Sequence, residues 1–279
     1  MSDINPFVKW AGGKSQIINE IKRRLPKSFK SYYEPFIGGG AVLFSLQPTN
    51  ANINDINKQL INTYRQLKTN SKKVINIIKE LDKEECTKEL YYIFRDKYNI
   101  KIQNDIYDEE TAGLFIWINK HCFNGLYRVN SKGLFNVPYN NRKNGSSMVE
   151  SNLINIGYYL KNVNISNQDF ELFCKDIKKG DFVYFDSPYI PESATADFTS
   201  YTKEGFSLED HKRLAFLFKQ LDKIGANIML SNNDVDLIYE LYKSYKISSF
   251  NVKRMINSNA SKRTGKELII TNYEYSLEN

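Results

Sequence analysis

Apolar residues recur at helical spacing in some stretches of this chain and gather in short unbroken runs in others. Ile17, Ile18, Ile21 and Leu25 make one side of an amphipathic stretch that Pro26 ends. Tyr32 and Tyr33 begin an apparent strand that runs into Gly38-Gly39-Gly40, Ala41 to Leu46 predicts a second helix, and the next strand closes at Asp55. From Asn57 the period turns helical: Leu60, Tyr64 and Leu67, then Val74, Ile77, Ile78 and Leu81, then Leu114 to Ile118. Gly125 to Gly145 breaks that pattern. It is rich in Asn, Gly, Lys and Arg with isolated apolar residues, which predicts a polar loop or a small hairpin.

After residue 150 strands and helices alternate again. Phe182-Val183-Tyr184-Phe185 reads as a buried strand closing on Asp186-Ser187-Pro188-Tyr189. Ser207, with Asp210 three residues on, resembles a capping pair for a helix whose apolar face is Leu214, Leu217, Phe218 and Leu221. Ile228-Met229-Leu230 is the following strand, and Ile247 to Val252 and Leu268 to Tyr273 predict two more, joined by a polar loop. The expected class is α/β: a mostly parallel sheet with helices on both faces, an antiparallel C-terminal strand pair, and an inserted helical segment. Residues 1–56 and 145–279 form one expected domain, and 57–144 a helical second one with a hairpin loop. Ligands then belong at the carboxyl ends of the strands.

Composition narrows the class. Hydrophobic residues are 41% and aromatics 14% of 279, too rich for a tail or linker. No apolar run approaches the ~20 residues that span a bilayer. Met1 to Pro6 has no basic stretch followed by an apolar one, so a soluble, cytoplasmic enzyme is expected, with no membrane partner. Cys86, Cys122 and Cys174 are far apart and odd in number, and His121 and His211 sit in no ligand spacing, which argues against disulfides and metal. The net charge is +7, and residues 57–144 carry 16 Lys/Arg against 10 Asp/Glu, so most of the excess lies in the helical segment. A solvated helical surface explains such an excess as readily as a nucleic-acid footprint.

Gly12-Gly13-Lys14-Ser15 misses the phosphate-loop pattern, because the required first glycine is Val8. Gly38-Gly39-Gly40 likewise lacks the last glycine of a dinucleotide fingerprint, since that position is Leu43. What remains is a glycine turn between strand and helix, where backbone amides can approach a ligand or simply turn tightly. Asp55 stands where an acidic residue takes ribose hydroxyls, or it caps the next helix. Asp186-Ser187-Pro188-Tyr189 puts a carboxylate, a free carbonyl and an aromatic ring at one strand end, which is either a plain turn or a site for an aromatic amine. Methyl transfer to such an amine needs acceptors for both N–H groups, because the nitrogen lone pair is delocalised into the ring.

Seven blocks in this order resemble the Dam-type DNA adenine-N6 methyltransferases: Phe7 to Lys14, Glu34 to Gly40, Asp55 to Asn57, Phe123 to Arg128, Phe135 to Tyr139, Asp186 to Tyr189 and Ser193 to Thr199. The resemblance spans nearly the whole chain and implies a Rossmann-like methyltransferase fold, with S-adenosylmethionine as cofactor, S-adenosylhomocysteine as product and double-stranded DNA as partner. By that likeness Trp10, Lys14, Phe36, Gly38, Gly40 and Asp55 line the cofactor site, and Asp169 and Phe170 hold its adenine. Asp186, Ser187, Pro188 and Tyr189 hold the target base, flipped out of the duplex. Lys9, Leu126, Arg128 and Pro138 resemble readers of base edges, with Lys9 and Arg128 suited to guanine. Phe123, followed by Asn124, resembles a wedge beside the flipped adenine. Arg95, Lys120, Asn130 and Asn136 match phosphate contacts.

All four reader positions match, so the resemblance implies GATC as the recognised sequence. The family pattern is Asp-Pro-Pro-Tyr, and Ser187 departs from it: serine keeps the carbonyl acceptor but does not fix φ, which implies a slower enzyme. Ala194 to Phe206 reads as a loop that orders on DNA. A monomer is expected, with room for a separate cognate restriction endonuclease as partner. Two rival readings share the fold: a methyltransferase for RNA adenine or cytosine N4, and an inactive DNA-binding homologue.

Overall fold

In the computed structural model the chain is described over residues 4–142, 145–190, 205–253 and 264–276. The Ser193 to Thr199 block and most of the Ala194 to Phe206 loop lie outside the described residues. The N-terminal part holds α1 (Ile18–Lys22), β1 (Tyr32–Glu34), α2 (Ala41–Leu46) and β2 (Ala51–Asn54). Three helices follow, α3 (Lys58–Leu81), α4 (Lys88–Gln103) and α5 (Glu109–His121), then α6 (Glu150–Leu160), β3 (Val163–Ser166) and α7 (Phe170–Cys174). The rest comprises β4 (Phe182–Phe185), α8 (Leu208–Ile224), β5 (Asn227–Asn233), α9 (Asp236–Leu241), β6 (Lys246–Lys253) and β7 (Thr264–Thr271).

The seven strands form one sheet in the order β3-β2-β1-β4-β5-β7-β6. β1 to β5 run parallel, while β7 pairs antiparallel with both β5 and β6. β4 is buried at all four positions, covered on both faces, which is why it is apolar throughout. Phe182 and Tyr184 enter one core cluster and Val183 and Phe185 the other, as the two-residue period of a strand requires. The strand order reverses between β1 and β4. At such a switch point the loops leaving the two strands diverge and open a crevice at their carboxyl ends. β1 leads into the glycine turn and β4 into Asp186, so topology alone sets those two loops side by side.

Several local expectations hold. Ser207 and Asp210 form a reciprocal capping box, Asp210 N–H donating to Ser207 Oγ at 3.2 Å and Ser207 N–H to Asp210 Oδ2 at 2.8 Å. The expected first helix is shorter than Ile17 to Leu25: a 3₁₀ turn over Lys14–Gln16 precedes α1, which ends at Lys22. The cap of α3 is Asn57, whose Oδ1 accepts from Leu60 N–H at 2.9 Å, so the capping alternative for Asp55 is overturned. Asn70 has non-helical φ and ψ and kinks α3. The half before it (Leu60, Ile61, Tyr64, Leu67) and the half after it (Val74, Ile75, Ile78) are both buried.

The stretch after α5 is a hairpin. Cys122 bridges Tyr139 and Val129 bridges Phe135, and Asn130 Oδ1 closes the tip by accepting from Lys132 and Leu134 N–H at 2.9 and 3.1 Å. All three cysteines are free and buried. Among the described residues no helix is long and apolar enough to cross a membrane, and no cluster could hold a metal ion.

Candidate active site

A cavity of about 1190 Å³ opens at the switch point. The glycine turn, Asp55 and all of Asp186 to Tyr189 line it, as do Trp10, Lys14 and Phe36. Gly38 and Gly40 have φ of +47° and +77°, in the region that glycine reaches most easily. A Cβ at Gly38 would stand 2.8 Å from Trp10 Cδ1, and one at Gly40 would stand 2.5 Å from Tyr64 Oη. Side chains are thereby kept out of the turn. Tyr64 from α3 also donates to Gly38 carbonyl at 3.0 Å, tying the turn to the helical segment.

Asp55 follows β2 and faces the same turn. Its Oδ2 accepts from Gly38 N–H at 3.1 Å and its Oδ1 from Asn57 N–H at 3.0 Å. Burial raises its carboxyl to about 6, against the pull of the Asn57 and Gly38 amides that favour the anion. Each oxygen keeps a lone pair for a further donor such as a ribose hydroxyl. The glycine cradle and this acid together fit the nucleoside end of S-adenosylmethionine.

Across the crevice, Asp186 is held from two sides. Lys14 Nζ lies 2.6 Å from Asp186 Oδ1 and 2.7 Å from Gly12 carbonyl, and Ser231 Oγ donates to the same Oδ1 at 3.2 Å. Burial pulls the Lys14 ammonium down, but Asp186, Tyr189 and Glu267 together outweigh it and hold the group well above the usual lysine range. Burial pushes Asp186 upward, and Lys14 opposes that push. Lys14 Nζ also stands 4.7 Å from the centre of the Tyr189 ring, over its face. Ser187 is 1% exposed, and its Oγ accepts from Asn232 Nδ2 at 3.3 Å, a tether that proline could not make.

The other predicted residues spread outward from the cavity. Lys9, Lys120, Phe123, Asn124 and Leu126 line it. The main chain of Lys9 is clamped by Asn119, whose Oδ1 accepts from its N–H at 2.9 Å and whose Nδ2 donates to its carbonyl at 3.0 Å. Phe123 is 50% exposed at the rim of the cleft. Arg128, Asn130, Asn136 and Pro138 sit on the hairpin away from the cavity wall, Arg128 Nε donating to Asn136 Oδ1 at 2.9 Å. Arg95 lies on α4 over the Tyr92 ring at 4.5 Å.

Asp169 and Phe170 do not reach the cavity lining. The Asp169 carboxylate takes the Arg213 Nη2 donor at 3.1 Å and caps α7 through Glu171 N–H at 2.9 Å, so any contact to adenine shares those acceptors. Phe170 stands 5.4 Å from the Phe36 ring and backs it. Sequence reasoning missed Ser231, Asn232 and Glu267, which hold Asp186, Ser187 and Tyr189 from neighbouring strands. The signal for the first two was polar residues ending an apolar strand at Ser231-Asn232-Asn233.

A glycine turn that shares one crevice with an acceptor-bearing strand end fits an enzyme of the open α/β class working on a bound cofactor. Residues 10–256 match the D12 class N6 adenine-specific DNA methyltransferases, and the chain belongs to that family. It is similar to the type II methyltransferase M.MjaIII of Methanocaldococcus jannaschii, 44% identical over 97% of this chain and 100% of that protein. The type II methyltransferase M1.LlaDCHI of Lactococcus lactis is 44% identical over 97% of this chain and 96% of its own length. The DNA adenine methylase of Escherichia coli is 33% identical over 96% of this chain and 95% of its own length. The protein is an S-adenosylmethionine-dependent DNA adenine-N6 methyltransferase.

Proposed function

We propose that the enzyme methylates the adenine of GATC in duplex DNA after flipping it into the crevice, with residues 57–144 as the target-recognition domain. One observation carries this reading: the glycine turn, Asp55, the Asp186 to Tyr189 edge and the readers Lys9 and Leu126 line a single cavity, with the exposed Phe123 at its rim. When bound, S-adenosylmethionine supplies a methyl carbon activated by its sulfonium. The side chains supply the rest. Asp186 and the Ser187 carbonyl accept the two N6 hydrogens, which lets the lone pair turn out of the ring plane. Tyr189 carries the base by stacking. The proton that N6 sheds once it has taken the methyl would pass to the Asp186 carboxylate that already holds it, and from there to solvent. No histidine base is required.

The test is to incubate the protein with labelled S-adenosylmethionine and a random duplex pool, then sequence the methylated positions. Adenine in GATC is the expected product. Equal labelling of structured RNA would favour the RNA enzyme instead. Cofactor binding with no product on any substrate would leave an inactive DNA-binding homologue.

Asp55 gives a pH dependence. Ribose hydroxyls need an ionised acceptor, and this carboxyl titrates at about 6. Cofactor affinity is therefore full above that pH and falls as the proton returns, approaching about tenfold per pH unit on the acid side. Calorimetry from pH 8 to 5 reads the decline, and Asp55→Asn is expected to bind weakly at every pH with a flat profile. An unchanged dissociation constant for the natural protein across that range would remove Asp55 from the ribose site.

A further inference from the structure

The antiparallel corner of the sheet brings a carboxylate to the back of the base site. Glu267 lies on β7, paired with Asn233 at the end of β5, and is followed by three buried apolar residues, Leu268, Ile269 and Ile270. Its Oε1 accepts a 2.7 Å hydrogen bond from the Tyr189 hydroxyl. Its Oε2 is buried with no hydrogen-bond partner among the described residues. A buried carboxylate oxygen left without a donor is costly, and packing alone does not call for one. The Tyr189 ring thus has an anion at its hydroxyl and, through Lys14, a cation over its face.

We propose that Glu267 is a positioning residue for methyl transfer, acting through Tyr189: it accepts the hydrogen bond of the phenolic hydroxyl, fixes the ring plane and enriches the face on which the target adenine lies. The proposal rests on Tyr189 as the stacking surface. Orientation comes first, because a charge-assisted bond at the far end of the ring removes its freedom about χ1 and χ2. Polarisation adds to it. As the N6 lone pair attacks, positive charge passes into adenine, and a phenol donating to a carboxylate offers that charge a more negative face. Lys14 Nζ, 4.7 Å from the ring centre, shows that the Tyr189 ring already attracts a cation. No proton changes hands between Tyr189 and Glu267.

The experiment compares Glu267→Ala, Glu267→Gln, Tyr189→Phe and the Glu267→Ala/Tyr189→Phe pair in the full chain. Single-turnover rate and KM on duplex DNA are measured at saturating cofactor, with cofactor affinity measured separately. Glu267→Ala is expected to lower the rate about 10- to 100-fold, the range for a lost charge-assisted bond, and to leave cofactor affinity within about twofold. Glu267→Gln keeps an acceptor oxygen without the charge and falls between. In the Tyr189→Phe background the alanine change is expected to add less than about twofold, since the residue acts through the hydroxyl. Natural rates in both Glu267 variants would overturn the inference, as would an undiminished loss in the Tyr189→Phe background or a matching loss of cofactor affinity. Asp186→Ala separates the two levels. Methylation that survives it sinks the base-site reading itself, whereas an inactive Asp186→Ala beside a normal Glu267→Ala sinks only the role of Glu267.

Discussion

Asp186→Ala is expected to reduce the methyl-transfer rate by at least about 10²- to 10³-fold, the loss seen when one preorganised transition-state partner is removed. The effect should fall on the chemical step. The N6 hydrogens gain acidity only as the C–N bond forms, so their acceptor is worth most in the transition state. Asp186→Asn tests charge against shape: the amide keeps the size but offers a donor on one side, where the amine needs acceptors. It should be almost as slow. Both changes strip Lys14 of the partner at 2.6 Å, leaving an ammonium only 3% exposed beside Gly12 carbonyl. A buried charge that loses its partner destabilises by about 3–5 kcal/mol, so thermal unfolding of each variant has to be measured beside the rate. Lys14→Met in the Asp186→Asn background is expected to restore stability and so reads the cost of the unpaired ammonium alone, since Lys14 itself lines the cavity and its loss lowers methylation too. A folded Asp186→Asn enzyme that turns over normally would show that the amine is held elsewhere.

Much of this site was legible because its parts are contiguous. Phe182 to Phe185 is apolar at four successive positions, so the strand and the tetrapeptide after it stand out. The glycine turn and Asp55 carry their own chemistry after two successive strands, β1 and β2. Other elements gave no such sign. α4 buries Tyr91 and Tyr98 but leaves Ile93 and Ile100 exposed at 61% and 57%, so two apolar stripes blur into no period at all. β3 is an edge strand of four residues with only Val163 buried, too short and too polar to read from alternation.

The support of the Asp186 to Tyr189 edge was hidden for a different reason. Ser231 reaches Asp186 across 45 residues and Glu267 reaches Tyr189 across 78, joined by β5 and β7 pairing that no local pattern specifies. Asp169 shows the reverse case. The family resemblance implies an adenine contact for it, yet α7 and Arg213 both draw on its carboxylate. A resemblance can place such a residue near the cofactor without saying how its lone pairs are divided.

Arg128→Ala is expected to cost about 10- to 100-fold in kcat/KM on the recognised duplex while relaxing the preference at a single base pair, the signature of a lost bidentate contact to guanine. The hairpin prepares this arginine. Its carbonyl accepts from Asn136 N–H at 3.1 Å and its Nε donates to Asn136 Oδ1 at 2.9 Å, which fixes one edge of the guanidinium and turns the two terminal nitrogens outward. Lys120→Ala makes the contrast. A lysine at a phosphate position holds no sequence information, so its loss should weaken all duplexes alike and make the salt dependence shallower. The measurement is kcat/KM on the recognised duplex and its three single-base alternatives at the affected position, at two salt concentrations. Equal loss on all four duplexes for Arg128→Ala would move it to the phosphate contacts. Selective loss for Lys120→Ala would make that lysine a reader, and base recognition would then extend from the hairpin onto the last turn of α5, where the cavity already has its wall.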